Sequence, residues 1–269
     1  MHHIVMRADS AEEVSAADGH YGYVRDPLIR RSDGAVHMSL TSCSLGREAR
    51  GTTHAHSVNE SFYVLGGSPV IEVAGTRHAL SAGSAGRIPP GVPHHWLNDG
   101  QDPARWIEMA APALRDVEPA DTFFNDGADG LPKSSDDSVY IARDVPAQAP
   151  RSLSMGASVA ATSGLSISML IEQPAALHTM FIVTFEAGTK LGVHDHPLEE
   201  SYLILEGSCD FLLEGRRLTL SAGDMAWTSV GARHGMENLT DSPCRWLETQ
   251  APAPPDLYSI RFDADWSGR

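Results

Sequence analysis

The chain has 269 residues, 42% of them hydrophobic, and a formal net charge of −15. Such a composition fills real cores and excludes a disordered chain. No apolar run approaches the roughly 18 residues of a membrane helix, and the acidic balance disfavours nucleic acid and anionic membrane surfaces as partners. The first ten residues hold too short an apolar run for a secretory signal, so a cytoplasmic protein is expected. Cys43, Cys209 and Cys244 make an odd count with no pair pattern, which predicts small buried side chains rather than disulfides.

In chain order, residues 1–35 read as a polar N-terminal arm with room for one short strand laid against a neighbouring sheet. Residues 36–45 alternate loosely and predict a strand. A turn over Gly46 to Gly51 leads to His54-Ala-His56, and Glu60-Ser-Phe-Tyr-Val-Leu65 predicts the next strand. Short apolar segments then alternate with Gly and Pro turns: 69–73, 77–80, 86–89, 94–96 and 105–109. Turn signals at this density predict an all-β sandwich or barrel. Residues 116–155 are rich in Pro, Asp, Gly and Ser and read as an irregular linker. Strand patterns resume at 164–171 and 179–185, and the second half then retraces the first. The expected domains are an arm at 1–35, one barrel at 36–115, the linker at 116–155 and a second barrel with its tail at 156–269.

The retracing is the strongest signal in the chain. His54, His56, Glu60 and His94 recur as His194, His196, Glu200 and His234 at a constant offset of 140, and ungapped alignment of 54–112 on 194–252 gives 22 identical pairs in 59. Such self-similarity predicts duplication of one domain. Side chains on a strand alternate faces, so the two histidines of each His-x-His share one, and the glutamate can join them if the strand runs on. Three imidazoles and a carboxylate form a first-row transition-metal ligand set. His94 rather than His95 is the third imidazole by its spacing from Gly91; His95 is expected on the opposite face, at the surface or rim. Arg87 and Trp227 occupy equivalent positions and are the candidate substrate-binding residues, Arg87 as a carboxylate clamp and Trp227 as a wall. Trp106 and Trp246, each in an Arg-Trp-x-Glu run, read as a shared structural feature such as an interface strand.

These residues resemble the cupin signature, Gly-x5-His-x-His-x3,4-Glu-x6-Gly followed by Gly-x5-Pro-x-Gly-x2-His-x3-Asn. The second half matches through Gly188, His194, His196, Glu200 and Gly207, then Gly223, Gly231, His234 and Asn238, with Ser229 where proline is usual. The first matches through His54, His56, Glu60 and Gly67, then Gly83, Pro89, Gly91, His94 and Asn98, its opening glycine displaced. The resemblance, to a bicupin, implies two tandem jelly-roll β-barrels with the His, His, Glu and His residues holding metal inside each: a divalent transition metal, Fe2+ or Mn2+ favoured over Ni2+ or Zn2+, up to two per chain. Glu60 and Glu200 are also the candidate catalytic carboxylates. Oxalate decarboxylases of the family carry a tryptophan between the two histidines, where this chain has Ala55 and Asp195. Gentisate-type dioxygenases typically lack the glutamate. Ureidoglycine aminohydrolase orders its motif as Glu-x-His-x3-His. Quercetinase-like dioxygenases keep three histidines and a glutamate, as here. The leading expectation is an O2-dependent, dioxygenase-like oxidoreductase acting on a small organic molecule. The alternatives are a metal-dependent hydrolase, isomerase or lyase, and a non-catalytic binding cupin. A homodimer is compatible with the family.

Overall fold

The computed structural model describes residues 3–7, 20–117, 120–125, 139–143, 162–172, 176–253 and 261–262. Of the stretch read as linker, 118–119, 126–138 and 144–155 lie outside them, as do 254–260 of the tail. Among the described residues the regular elements are strands and one 3-10 turn at Arg31–Asp33, as an all-β chain requires. No helix there is long and apolar enough to cross a membrane. The chain divides into two compact units, Glu13–Asp144, and Met1–Glu12 with Val145–Arg269.

In the first unit an antiparallel sheet runs Tyr140–Ala142, Ala85–Ile88, Asn59–Gly66, Ala104–Ala111, Ser39–Leu45, Val24–Ile29. A second sheet runs Thr122–Phe124, His54–His56, His94–Asn98, Val70–Val73, Thr76–Ala79, with Ala49–Arg50 also paired to His94–Asn98. Alternation decides which side chains meet between the sheets. Phe62, Val64 and Trp106 from one meet Ile71, Val73 and Trp96 from the other in a single apolar cluster. The rings of Trp96 and Trp106 stack at 4.3 Å. Trp106 is thus a core residue of its own barrel rather than an interface residue, and so is Trp246 in the second unit.

The second unit repeats the plan. One sheet runs His3–Met6, Met225–Thr228, Glu199–Glu206, Cys244–Ala251, Thr179–Phe185, Leu165–Ile171; the other runs Arg216–Ser221, Ser208–Leu213, His234–Glu237, Lys190–Asp195, Arg261–Phe262. Tyr202, Ile204 and Trp246 pack with Phe211, Leu213 and Met236 between them. All three cysteines are buried and free, as expected.

The arm and linker carry more structure than their composition suggests. His3–Met6 pairs with Met225–Thr228, and Tyr140–Ala142 pairs with Ala85–Ile88, the strand at the equivalent position of the other half. Each is followed by an arginine that caps a neighbouring carbonyl: Arg7 donates to Thr219 O at 2.6 Å and Arg143 donates to Ala79 O. Thr122–Phe124, also from the stretch read as linker, pairs with His54–His56. Strands of three or four residues are too short to show a period.

Gly86 marks the tightest approach in the first barrel. It pairs with Phe62 on the inner face, and a Cβ there would lie 2.4 Å from Phe62 Cζ and 2.8 Å from Ile141 Cδ1. Overpacking of this kind costs about 1–3 kcal/mol. Gly86→Ala should therefore lower the urea midpoint by that equivalent without changing the slope. An unchanged midpoint would mean that the ring and Ile141 move aside freely.

Candidate metal centres

In the first barrel His54 and His56 come from one strand of the second sheet and His94 from the strand beside it, with His94 opposite His54 in register. Glu60 does not share their strand. The chain turns at Ser57-Val58 and Glu60 enters on Asn59–Gly66, in the facing sheet. Glu200 likewise enters on Glu199–Glu206, so in neither half does the His-x-His strand run on to its glutamate, and the next strand begins there as its sequence predicts. The ligand set is therefore assembled across the space between two sheets. In the first barrel the ligand atoms of His54, His56, Glu60 and His94 all lie within 4.8 Å of one another, and all four residues are buried.

The backbone aims these imidazoles. His54 Nδ1 lies 2.8 Å from Thr52 O, and His94 Nδ1 lies 3.1 Å from Val92 O. A carbonyl only accepts, so each Nδ1 carries the hydrogen and each Nε2 presents a lone pair. In the second barrel His194, His196 and His234 place Nδ1 against the carbonyls of Gly192, Leu198 and Ala232 at 2.8, 3.1 and 2.9 Å. His56 is the exception: its Nδ1 meets Thr122 Oγ1 at 3.1 Å, and Thr122 in turn meets Tyr21 OH at 2.8 Å. Outer contacts of this kind fix ring orientation and tautomer in metal sites.

The inward-facing atoms are what a cation would satisfy. His54 Nε2, His94 Nε2 and Glu60 Oε1 are buried without a hydrogen-bond partner, as are His196 Nε2 and His234 Nε2. Buried polar atoms are rarely left so. Glu60 Oε2 lies 2.7 Å from His56 Nε2 and 3.5 Å from His94 Nε2. Burial opposes ionisation of Glu60, but His94 and His56 outweigh it and hold the carboxyl well below its usual range. Burial, then the charges of His94 and His56, push His54 well below the usual imidazole value, and burial takes His194 down to about 3. The facing glutamates outweigh burial and raise His94 and His196, so the fit to a divalent ion rests on the donor set and on its orphaned inward atoms.

The second barrel differs in one respect. The ligand atoms gathered within 4.8 Å of one another are those of His194, His196 and His234, and Glu200 stands outside that group. Its Oε2 lies 2.9 Å from His196 Nε2 and 3.1 Å from His234 Nε2. Both of its oxygens are also engaged from behind, Oε1 by Gln250 Nε2 at 2.6 Å and Oε2 by the Tyr202 hydroxyl.

Arg87 and Trp227 are not brought to these sets. Glu60 pairs with Ile88, and Arg87 pairs with Ser61, one step along. Glu200 pairs with Thr228, and Trp227 with Ser201. Pleating sends paired residues to one face and their neighbours to the other, so both side chains leave the barrel interior. Arg87 is spent on Asn59 Oδ1, at 2.7 and 3.1 Å. Parity of the strand overrules their equivalence in sequence. His95 does face away from the set, pairing with Glu72, but is 3% exposed rather than a surface or rim residue. Burial pushes it down to about 4.

An arginine the sequence did not flag serves the interior instead. Arg25 pairs with Cys43 on the inner face and donates to Glu108 Oε2. Glu108 Oε1 accepts from Trp106 Nε1 at 2.8 Å and from Tyr23 OH at 3.0 Å. Beside this cluster opens a cavity of about 300 Å3 lined by Arg25, Pro27, Arg30, Ser39, Thr41 and Arg115, among others. Ser39 faces Ala110, which faces Glu60, so the cavity wall lies two strands, roughly 10 Å, from the ligand set. In the second barrel a cavity bordered by His194, Glu200, Glu248 and Gln250 measures about 30 Å3, room for about two waters.

The loop before Thr122 is pinned by Arg115, whose Nε and Nη2 donate to Asp121 Oδ1 at 3.0 and 2.8 Å. Asp121 O and Oδ1 also hold Ser57 N and Oγ, beside His56. The Arg115 side-chain hydrogen bond is the main cause holding the Asp121 carboxyl below its usual value. A depressed folded-state value stabilises above the unfolded one, about 3.9, and that contribution is lost as pH falls through the folded value. Arg115→Ala should raise the Asp121 carboxyl toward the unfolded value in an NMR titration, and its stability deficit should shrink on acidification. No movement of that resonance would remove Arg115 as the cause.

A family model described as Cupin domain matches residues 44–110 and 181–249, together half of the chain. No curated protein matches at a significant level. Among solved structures, a variant salicylate 1,2-dioxygenase from Pseudoaminobacter salicylatoxidans in complex with gentisate superposes with a TM-score of 0.71 at 15% identity, covering 98% of this chain and 86% of that one. Protein Ylba from E. coli gives 0.69 at 12%, covering 94% and 92%. A deletion mutant of Bacillus subtilis oxalate decarboxylase gives 0.66 at 15%, covering 96% and 78%. At these identities the likeness is one of fold.

Proposed function

The chain belongs to the cupin family and carries that domain twice, and on that premise we propose that it is a metal-dependent enzyme, an O2-dependent oxidoreductase acting on a small organic acid in its first barrel. The observation that carries the reading is the buried four-residue set His54, His56, Glu60 and His94, with inward-facing atoms left without partners. A closed structural site would use all positions of its ion, whereas four protein ligands on a six-coordinate Fe2+ or Mn2+ leave two open. Such an ion, when bound, supplies Lewis acidity toward substrate and O2.

The protein's own contribution is placement and charge. Thr52 and Val92 carbonyls and Thr122 hold the imidazoles in orientation, which keeps the open side of the set fixed. The 300 Å3 cavity is at the small end of the range for organic ligands. Its arginines, Arg25, Arg30 and Arg115, of which Arg25 and Arg115 also pair with Glu108 and Asp121, offer donors to an anionic group. The acids named for two structures of the same fold, salicylate and oxalate, support that substrate class. The second barrel, with space for water alone as it stands, is less suited to an organic substrate.

Elemental analysis of the purified protein, followed by oxygen-electrode assays over a panel of small aromatic and aliphatic acids, tests the reading. Iron or manganese near one equivalent or more, with substrate-dependent O2 uptake abolished by His54→Ala, is the expected result. Product formation without O2 uptake would replace it with hydrolytic, isomerase or lyase chemistry. A chain that takes up no metal after anaerobic reconstitution would overturn it altogether.

A further inference from the structure

The two ligand sets have the same four residues, but their carboxylates are held differently. Behind Glu60 stand Phe62 and Ala110, the latter directly opposite it in register. Neither has a side-chain hydrogen-bonding group, and Glu60 Oε1 is without a partner. The positions equivalent to these in the second barrel are Tyr202 and Gln250, with Gln250 opposite Glu200 in the same register. There both carboxylate oxygens accept hydrogen bonds, from the Tyr202 hydroxyl and from Gln250 Nε2 at 2.6 Å. Gln250 is itself fixed, its Nε2 also donating to Glu248 Oε1 at 3.1 Å and its Oε1 accepting from Thr179 at 3.3 Å. Glu60 joins all three of its histidines in one group of ligand atoms, whereas Glu200 meets His196 and His234, at 2.9 and 3.1 Å, but is not grouped with His194.

We propose that the two centres are chemically distinct: the first binds a divalent metal through three imidazoles and Glu60, whereas in the second Tyr202 and Gln250 are positioning residues that compete with an ion for both Glu200 oxygens, leaving His194, His196 and His234 as the principal ligands. This rests on the metal-binding reading above. It implies different metal preferences. A carboxylate favours hard ions such as Mn2+, while imidazole alone suits Zn2+, Ni2+ or Co2+ better. The first barrel is therefore the manganese-competent site, and the second accepts the more imidazole-seeking ions.

The test is a pair of titrations on the full chain, Mn2+ followed by EPR of the free ion and Co2+ by calorimetry and visible absorption. The variants are His194→Ala, which leaves the first centre, and His54→Ala, which leaves the second. The first centre should bind both ions. The second should bind Co2+ but hold Mn2+ at least about tenfold more weakly. In the His54→Ala background, Tyr202→Phe with Gln250→Ala, which copies the first barrel, should strengthen Mn2+ binding about tenfold. Tyr202→Phe alone, a loss of one oxygen atom with little risk to folding, should give part of that gain.

The sign of this change separates the alternatives. If Tyr202 and Gln250 were ordinary supports of a ligating Glu200, the same substitutions would weaken binding, about 10–100-fold. Weakening, no change, or equal Mn2+ affinity in the two centres would each overturn the inference while leaving metal binding intact. Absence of any binding in both backgrounds would overturn it together with the function on which it rests.

Discussion

Replacing His56 by alanine should lower the metal affinity of the first barrel about a hundredfold and remove most of the metal's stabilisation of that unit. Metal sites with four protein ligands bind with roughly 10–16 kcal/mol, so one ligand is worth on the order of 3 kcal/mol, or about two decades in Kd. His56 is also the ligand closest to the carboxylate, 2.7 Å from Glu60 Oε2. Through Nδ1 it links to Thr122 and then to Tyr21. Removing it opens a void against the Tyr21 ring, stacked at 6.5 Å, and leaves the Thr122 hydroxyl without that partner. At metal a hundred times above Kd the bound ion contributes about 2.7 kcal/mol to folding, and at equal metal the variant loses most of it. Thermal unfolding of wild type and His56→Ala, each with EDTA and with added Mn2+, checks this. The wild-type midpoint should rise with metal by several degrees more than that of the variant. A wild-type midpoint indifferent to metal would sink the prediction and the four-ligand site with it.

The candidate ligand residues stood out because they recur. The same four types at one offset in both halves leave little room for chance, and His-x-His on a strand faces one way by pleating alone. That the glutamate opens a new strand was legible, but nothing in His-x-His-x3-Glu says that this strand belongs to the facing sheet. Arg87 and Trp227 failed for a related reason. Their chemistry suited a cavity wall, but whether a strand residue looks in or out depends on register, and a shift of one residue reverses it. Arg25, Tyr21 and Thr122 come from the arm and the linker, where short strands show no period and only tertiary pairing brings them to the core. Tyr202 and Gln250 were readable in principle, as the two places near the glutamate where the halves depart from each other. Their meaning waited on the register that sets Gln250 opposite Glu200 and Ala110 opposite Glu60. The Glu of Arg-Trp-x-Glu recurs for a reason the repeat alone did not give: in both barrels it accepts the indole N–H, at 2.8 Å in each.

That same glutamate sets up the largest expected loss of stability. Arg25→Ala should cost the first unit about 3–5 kcal/mol, because it leaves Glu108 as a buried charge without its cation. The side chains of Arg25 and Glu108 are 7% and 5% exposed, and the guanidinium also lies 4.2 Å from the Tyr21 ring centroid, so solvent offers little compensation. The second barrel shows what the position tolerates in the absence of such a pair. Glu248 keeps the tryptophan bond and takes Gln250 as its other partner. Burial, and then the charge of Glu200, push its carboxyl well above the usual range, toward the neutral form. A neutral group at position 108 should therefore be accepted as well. Glu108→Gln retains an amide oxygen for Trp106 and Tyr23, and combined with Arg25→Leu it removes both charges at once. The double variant should lie within about 1–2 kcal/mol of wild type, since replacing a whole buried ion pair is often neutral whereas halving it is not. Urea unfolding of Arg25→Leu, Glu108→Gln and their double variant gives the coupling directly. Additive losses would mean that Arg25 acts through packing on Tyr21 rather than through Glu108. A coupling of several kcal/mol would mark the pair as the device by which the first barrel holds the Glu108 carboxylate in its core beside the cavity lined by Arg25.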